Sequence, residues 1–132
     1  MLAGRYTPIR RLGSGGMGDV FLSREQGEGG LTRRVALKRI RPELSSDEHF
    51  RDLFRREARV AIRMSHPNIV HVYEVGGAGQ EDLYLAMEYV EGRTLHDLLT
   101  QASRLEYSIP IEVAMAIGLD VARGLHYAHE LR

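Results

Sequence analysis

Four glycines crowd into the run Gly13-Ser14-Gly15-Gly16-Met17-Gly18-Asp19-Val20, and the only lysine of the chain, Lys38, closes the segment Val35-Ala36-Leu37-Lys38 shortly beyond it. Glycines let backbone N–H groups approach an anion closely because no Cβ stands in the way. Seventeen of the 18 basic residues are Arg, so the single Lys suggests that a compact, rotatable ammonium is wanted where Arg would offer a broad planar fork. Both features suit phosphate oxygens. Taken singly, each has a plainer reading: a flexible hairpin tip, and a chance survivor of a bias toward Arg codons.

The elements around the glycines decide among the settings in which G-x-G-x-x-G occurs. A dinucleotide-binding fold places the glycines between a strand and a helix, but Asp19-Val20-Phe21-Leu22-Ser23 reads as strand. A Walker A loop ends in Gly-Lys-Ser/Thr, and here Gly18 is followed by Asp19. A glycine-tipped β-hairpin that folds over a nucleotide remains.

Strands are expected over Tyr6 to Leu12, Val20 to Ser23, Arg34 to Ile40, Ile69 to Val75 and Leu83 to Val90, with turns at Gln26 to Gly30 and Gly76 to Asp82. Pro42 ends the third strand. Ser45 followed by Glu48 matches a capping box, so a helix is expected from there to about Met64, broken by His66-Pro67-Asn68. A short helix over Thr94 to Leu99 and a longer one from Ser108 and Pro110 to the end follow Gly92.

In the first helix, Phe50, Leu53, Phe54, Val60, Ala61 and Met64 form an apolar stripe at helical spacing with Glu57 in its middle. A carboxylate buried there unpaired would cost several kcal/mol, which makes Lys38 on the adjacent strand its expected partner. The alternative places Glu57 at the stripe's edge, reaching solvent. Arg51, Arg55, Arg59 and Arg63 make a basic stripe that reads as a solvated face, or else as a dock for a phosphorylated or acidic segment. In the last helix Val113, Ala114, Ile117, Val121, Leu125 and Ala128, widened by Met115 and Leu119, make a long apolar face built to be covered. It is the expected surface for a protein partner.

Composition narrows the classes. A chain of 132 residues with 43% apolar and 27% charged residues suits one modest globular domain. Zero net charge and a pI near 7.0 give no global pull toward nucleic acid or an anionic membrane. The absence of cysteine excludes disulfides and thiolate metal sites and fits a cytoplasmic setting. No stretch reaches membrane-spanning length and the N-terminus lacks a signal-peptide core. His126 and His129, three apart on a helix, have no convincing third ligand, so no metal site is expected.

Taken in order, Leu12-Gly13 through Val20-Phe21, Val35-Ala36-Leu37-Lys38, Glu57, His66-Pro67-Asn68-Ile69-Val70, Leu85-Ala86-Met87-Glu88-Tyr89-Val90-Glu91-Gly92 and Gly124-Leu125-His126-Tyr127-Ala128-His129 resemble the protein kinase family, specifically bacterial kinases of the eukaryotic-like Ser/Thr type. The resemblance runs from Tyr6 to the C-terminus. It implies an α+β small lobe over residues 1–90, with a five-stranded antiparallel sheet and one main helix, followed over 91–132 by two helices of an incomplete large lobe. It implies ATP as cofactor, with Lys38 on the α- and β-phosphates and paired to Glu57. Leu12, Gly13, Ser14, Gly15, Gly16, Met17 and Gly18 would cover the nucleotide, Val20 and Ala36 would form the ceiling over adenine, and Met87 would stand at the back as gatekeeper. The Glu88 carbonyl and the Val90 N–H, flanking Tyr89, would pair with the adenine edge, and Gly92 would let the chain turn. His96 and Asp97 fall near the ribose region of the family but are not included in the site. The family's H-R-D loop, with its base and metal-binding Asn, and its D-F-G metal ligand are not in this sequence. Mg²⁺ is therefore expected only in a complete domain, and these 132 residues alone are expected not to transfer phosphate. The alternative is a non-catalytic, kinase-like interaction or regulatory module.

Overall fold

The computed structural model describes residues 1–77 and 82–131; the inner part of the expected turn from Gly76 to Asp82, and Arg132, lie outside the described residues. Two compact units account for the chain, one of residues 1–65 and 70–89, the other of residues 66–69 and 90–132.

The first unit is a sheet with one long helix. Strands β1 (Tyr6–Ser14), β2 (Gly18–Gln26), β3 (Thr32–Ile40), β4 (Val72–Gly76) and β5 (Tyr84–Glu88) pair in the order β1-β2-β3-β5-β4. Every pairing is antiparallel. Because successive side chains of a strand point to opposite faces, β3 serves two cores. Val35 and Leu37 join Tyr6, Tyr84 and Ala86 on one face. Ile40, on the other, packs with Phe54, Leu83, Phe50 and Leu85 beneath the helix.

That helix differs from expectation at its start. Pro42 opens a single turn, α1 (Pro42–Ser45), and the long helix α2 runs Glu48–Arg63. Asp47 caps it, its Oδ1 accepting from the N–H groups of His49 at 2.9 Å and Phe50 at 3.3 Å. Ser45 is not the cap, because its hydroxyl is turned back to donate to the Pro42 carbonyl at 3.3 Å and close the preceding turn.

The inward line of α2 also differs. Arg51, Phe54 and Ala58 are buried, whereas Leu53 and Val60 are about half exposed and Glu57 is exposed. Fully burying a side chain such as Phe54 contributes about 1.5–3 kcal/mol, more than any single helix-surface interaction. The helix accordingly turns the line through Phe54 and Ala58 onto the sheet. Glu57, one residue off that line, goes to the rim. Arg51 is likewise no part of a solvated stripe. It lies 7% exposed and its guanidinium donates to the Ser45 carbonyl at 2.8 Å and to the Gly77 carbonyl, partners that make a buried cation tolerable.

The second unit holds α3 (Leu95–Arg104) and α4 (Ile111–Glu130). A capping box between Thr94 and Asp97 starts α3, with Asp97 N–H donating to Thr94 Oγ1 at 3.1 Å. The hydrogen bonds from Thr94 hold the Asp97 carboxyl below its ordinary range, so Asp97 has a structural task. Within this unit Asn68 Nδ2 donates to the Asp120 carbonyl at 2.9 Å and His66 stacks obliquely on Tyr127, centroids 5.1 Å apart. The His66-Pro67-Asn68 break therefore belongs with α4. Val113, Met115, Leu119, Val121 and Leu125 of α4 are exposed. Among the described residues no helix is long and apolar enough to cross a membrane.

Candidate functional site

Register brings the nominated residues to one face of the sheet. Val20 lies opposite Lys38 and Leu22 opposite Ala36, while Lys38 faces Leu85 and Ala36 faces Met87 across the next ladder. Directly opposed residues of antiparallel strands share a face. Val20, Ala36, Lys38 and Met87 are thus neighbours on the surface that also carries α2. Ala36 is 7% exposed and the other three are half-buried. An aliphatic platform ending in an ammonium is what these strands present.

The glycine hairpin borders that platform. Leu12, Gly13 and Ser14 end β1; Gly15, Gly16 and Met17 form the tip; Gly18 opens β2. The tip is closed by Gly15 N–H to the Gly18 carbonyl at 2.9 Å and held to the end of β3 by Arg41 N–H to the Met17 carbonyl, also 2.9 Å. Ser14 Oγ donates to Asp19 Oδ1 across the last rung. The glycines divide into two kinds. A Cβ at Gly13 or Gly16 would meet nothing within 4 Å, whereas one at Gly18 would stand 1.9 Å from the Arg39 carbonyl oxygen. Gly18 therefore lets β2 lie against β3, while the open space beside Gly13 and Gly16 is what a phosphate cradle needs.

Glu57 is not brought to Lys38. No ion pair joins them among the described residues, because packing of Phe54 and Ala58 turns the Glu57 carboxylate to solvent. The half-buried ammonium of Lys38 is left available to an anion. Glu88 is tied from the β4 side, its N–H donating to the His71 carbonyl at 2.8 Å and its Oε2 accepting from His71 N–H at 3.1 Å. Tyr89 ends the first unit, and the second resumes at Val90, which is 62% exposed. Gly92 takes φ +141°, a conformation that side chains disfavour.

Among the described residues the largest electrostatic perturbations lie on the opposite face, at a network the sequence reading missed. Glu74 Oε1 accepts from the phenols of Tyr6 at 2.7 Å and Tyr84 at 2.9 Å, and the Glu74 carboxylate pairs with Arg5. Burial pushes the Glu74 carboxyl up, but the hydrogen bonds from Arg5, Tyr6 and Tyr84 outweigh it and hold it below its ordinary range. Burial, reinforced by the hydrogen bond to Glu74, raises the Tyr6 phenol. Every partner is satisfied and Tyr6 is fully buried, which marks a brace between strands, not a reactive centre. A concavity of the first unit, about 720 Å³, also lies away from Lys38, lined by Pro42, Ser45 and Ser46. Glu48, Asp52 and Asp82 line it together with Arg51 and Arg55.

Residues 6–132 match the family model described as protein kinase domain. The chain is 40% identical over 127 residues to the tyrosine-protein kinase MasK of Myxococcus xanthus, covering 96% of this chain and 20% of that protein. It is 37% identical over 137 residues to the serine/threonine-protein kinase PksC of Streptomyces coelicolor, covering 99% and 24%. Among solved structures, the Mycobacterium tuberculosis PknI kinase domain superposes with a TM-score of 0.74 at 36% identity, covering 98% of this chain and 50% of that one. The chain therefore spans a quarter or less of these curated relatives and half of the solved domain. With the glycine hairpin, the Val20–Ala36–Lys38–Met87 face and the sheet order all in place, it belongs to the protein kinase family.

Proposed function

We propose that this chain is the ATP-binding portion of a serine/threonine protein kinase, with phosphoryl transfer from ATP to protein Ser or Thr belonging to the complete domain. The observation that carries the reading is the shared face of Val20, Ala36, Lys38 and Met87 beside an open glycine tip. There an adenine ring would stack under Val20 and Ala36, its edge would pair with the backbone at Glu88 and Val90, and Lys38 would meet the phosphates. Residues 1–90 would act as the small lobe and 91–132 as the first helices of the large one. Glu57 would reach Lys38 by a rotation of α2 when the rest of the domain packs against it. Mg²⁺ supplies charge neutralisation of the transferring phosphoryl group in such domains; its ligands would come from segments that residues 1–132 do not contain. A cytoplasmic location belongs to the same proposal, since that is where ATP is available. The serine/threonine assignment rests on relatives such as PksC, and MasK, named a tyrosine kinase, is the reason to test it.

Titration of the isotope-labelled 132-residue chain with ATP, followed by amide shifts, tests the reading. Shifts at Gly13 to Gly18 and at Glu88 to Val90, weakened in Lys38→Met and nearly indifferent to Mg²⁺, are expected. Phosphate transfer to a generic protein substrate should be absent. Strong Mg²⁺ dependence, or no shift at those residues, would contradict it.

A second reading, a kinase-like module that acts by binding a protein, is favoured by the exposed apolar side chains Val113, Leu119 and Leu125 on α4. Shifts confined to α4 on adding a partner, with none on adding ATP, would distinguish it.

A further inference from the structure

The β3–β5 ladder ends at Val35 opposite Glu88, so the backbone of Tyr89 has no rung of its own, yet its side chain is held from two sides. Arg10 Nη2 on β1 donates to the Tyr89 phenol oxygen at 3.4 Å. The Arg34 guanidinium on β3 lies over the Tyr89 ring, 5.5 Å from its centroid. All three sit on the face of the proposed nucleotide site. Arg10 pairs with Leu22, the neighbour of Ala36, and Arg34 and Tyr89 lie two residues beyond Ala36 and Met87 on their strands. Tyr89 is thereby fastened to the adjacent β3 and, across β3 and β2, to β1, while Glu88, just before it, is fastened to His71 from the β4 side.

We propose that Arg10 and Arg34 are positioning residues for the hinge: by pinning the Tyr89 ring they fix the backbone at Glu88, whose carbonyl would receive the adenine edge, and so set affinity for the base without touching it. The inference rests on the proposed nucleotide site. It separates base recognition from phosphate recognition, since the glycine tip and Lys38 are anchored independently, through Arg41 N–H to the Met17 carbonyl and through the β2–β3 ladder. The geometry also divides the work between the two arginines. Arg10 needs the hydroxyl of Tyr89; Arg34 needs only the ring.

The test compares adenosine with inorganic tripolyphosphate as probes, titrated into the full 132-residue chain and followed by amide shifts. Arg10→Ala and Tyr89→Phe should each weaken adenosine by about threefold, the scale of a single exposed polar contact, and the double variant should be no worse than either alone. Arg34→Ala should cost a similar factor but multiply with Tyr89→Phe, and Arg10→Lys should recover affinity because an ammonium can still donate to the phenol. Tripolyphosphate affinity and the thermal midpoint should not move. Equal losses for both probes, or multiplicative effects of Arg10→Ala and Tyr89→Phe, would show a general structural role and overturn the proposal. Adenosine affinity unchanged in every variant would overturn it while leaving the nucleotide site standing. A native chain whose hinge amides ignore adenosine would overturn both.

Discussion

At the scale of single residues, glycines of one motif have separable duties. Gly18 sits where a Cβ would strike the Arg39 carbonyl, and Gly16 faces open space. Gly18→Ala is therefore expected to destabilise the chain by about 1–3 kcal/mol, as forced overpacking does, because the obstacle is backbone and cannot rotate away. Gly16→Ala should leave stability within about 0.5 kcal/mol and alter only nucleotide binding. Chemical denaturation of the two variants side by side checks this. Lys38 and Glu57 supply a second contrast. With the carboxylate turned to solvent, Lys38→Met and Glu57→Gln should have effects that add to within about 0.5 kcal/mol in a denaturation cycle. A larger coupling would show that α2 rotates inward in solution and forms the pair.

At the scale of elements, the sheet is braced on the face away from α2 by Arg5, Tyr6, Glu74 and Tyr84, which tie β1 to β4 and β5, strands that lie at opposite ends of the sheet order or next to them. Its pH dependence follows from the two perturbed groups. The Glu74 carboxyl is lowered on folding from an ordinary 4.5, so the stability it confers is present above that value and lost as the pH falls through the lower folded value. The Tyr6 phenol is raised from an ordinary 10.0, so its contribution is present below pH 10 and lost as the pH climbs toward the raised folded value. Thermal melts should show a plateau between these limits with a fall on each side. In Tyr6→Phe the alkaline fall should shrink, and in Glu74→Gln the acid one should. Glu74→Gln should also cost about 1–2 kcal/mol at neutral pH, since the Arg5 pairing and a charge-assisted acceptor for two phenols are weakened together.

At the scale of the whole molecule, the second unit governs behaviour in solution. Val113, Met115, Leu119, Val121 and Leu125 expose apolar surface along α4, and contiguous surface of that kind drives association. Light scattering on the 132-residue chain should show self-association that grows with concentration. A version ending after Tyr107, which removes α4 and keeps the complete sheet, should scatter less. A monomeric full chain with slowly exchanging α4 amides would mean that the apolar face is covered in solution.

What could be read from the sequence was whatever is written locally. Strand alternation, turn residues and the order of the glycine run, Val35-Ala36-Leu37-Lys38 and the hinge segment were legible because side-chain period and backbone freedom are properties of a few neighbouring residues. They sufficed for the presence of the five strands and the two later helices and for the family, but not for every boundary: α3 runs on to Arg104 where the spacing suggests an end at Leu99, and β4 begins at Val72, not at Ile69. The shared face of Val20, Ala36, Lys38 and Met87 needed register, which follows once the hairpin and ladder pairings are made. The direction of Glu57 was different. Periodicity placed it within reach of two outcomes, and the burial of Phe54 and Ala58 chose between them, because a helix can turn only one line of residues onto the sheet. Ser45 lost the cap to Asp47 once Pro42 had started a turn of its own, and Arg51 found its carbonyls at Ser45 and Gly77 only when α2 met the end of β4. The Tyr6–Glu74 brace and the two arginines on Tyr89 left no signal in the sequence. Their partners stand 68, 79 and 55 positions apart, and only the folded sheet brings side chains at such separations within hydrogen-bonding or stacking distance.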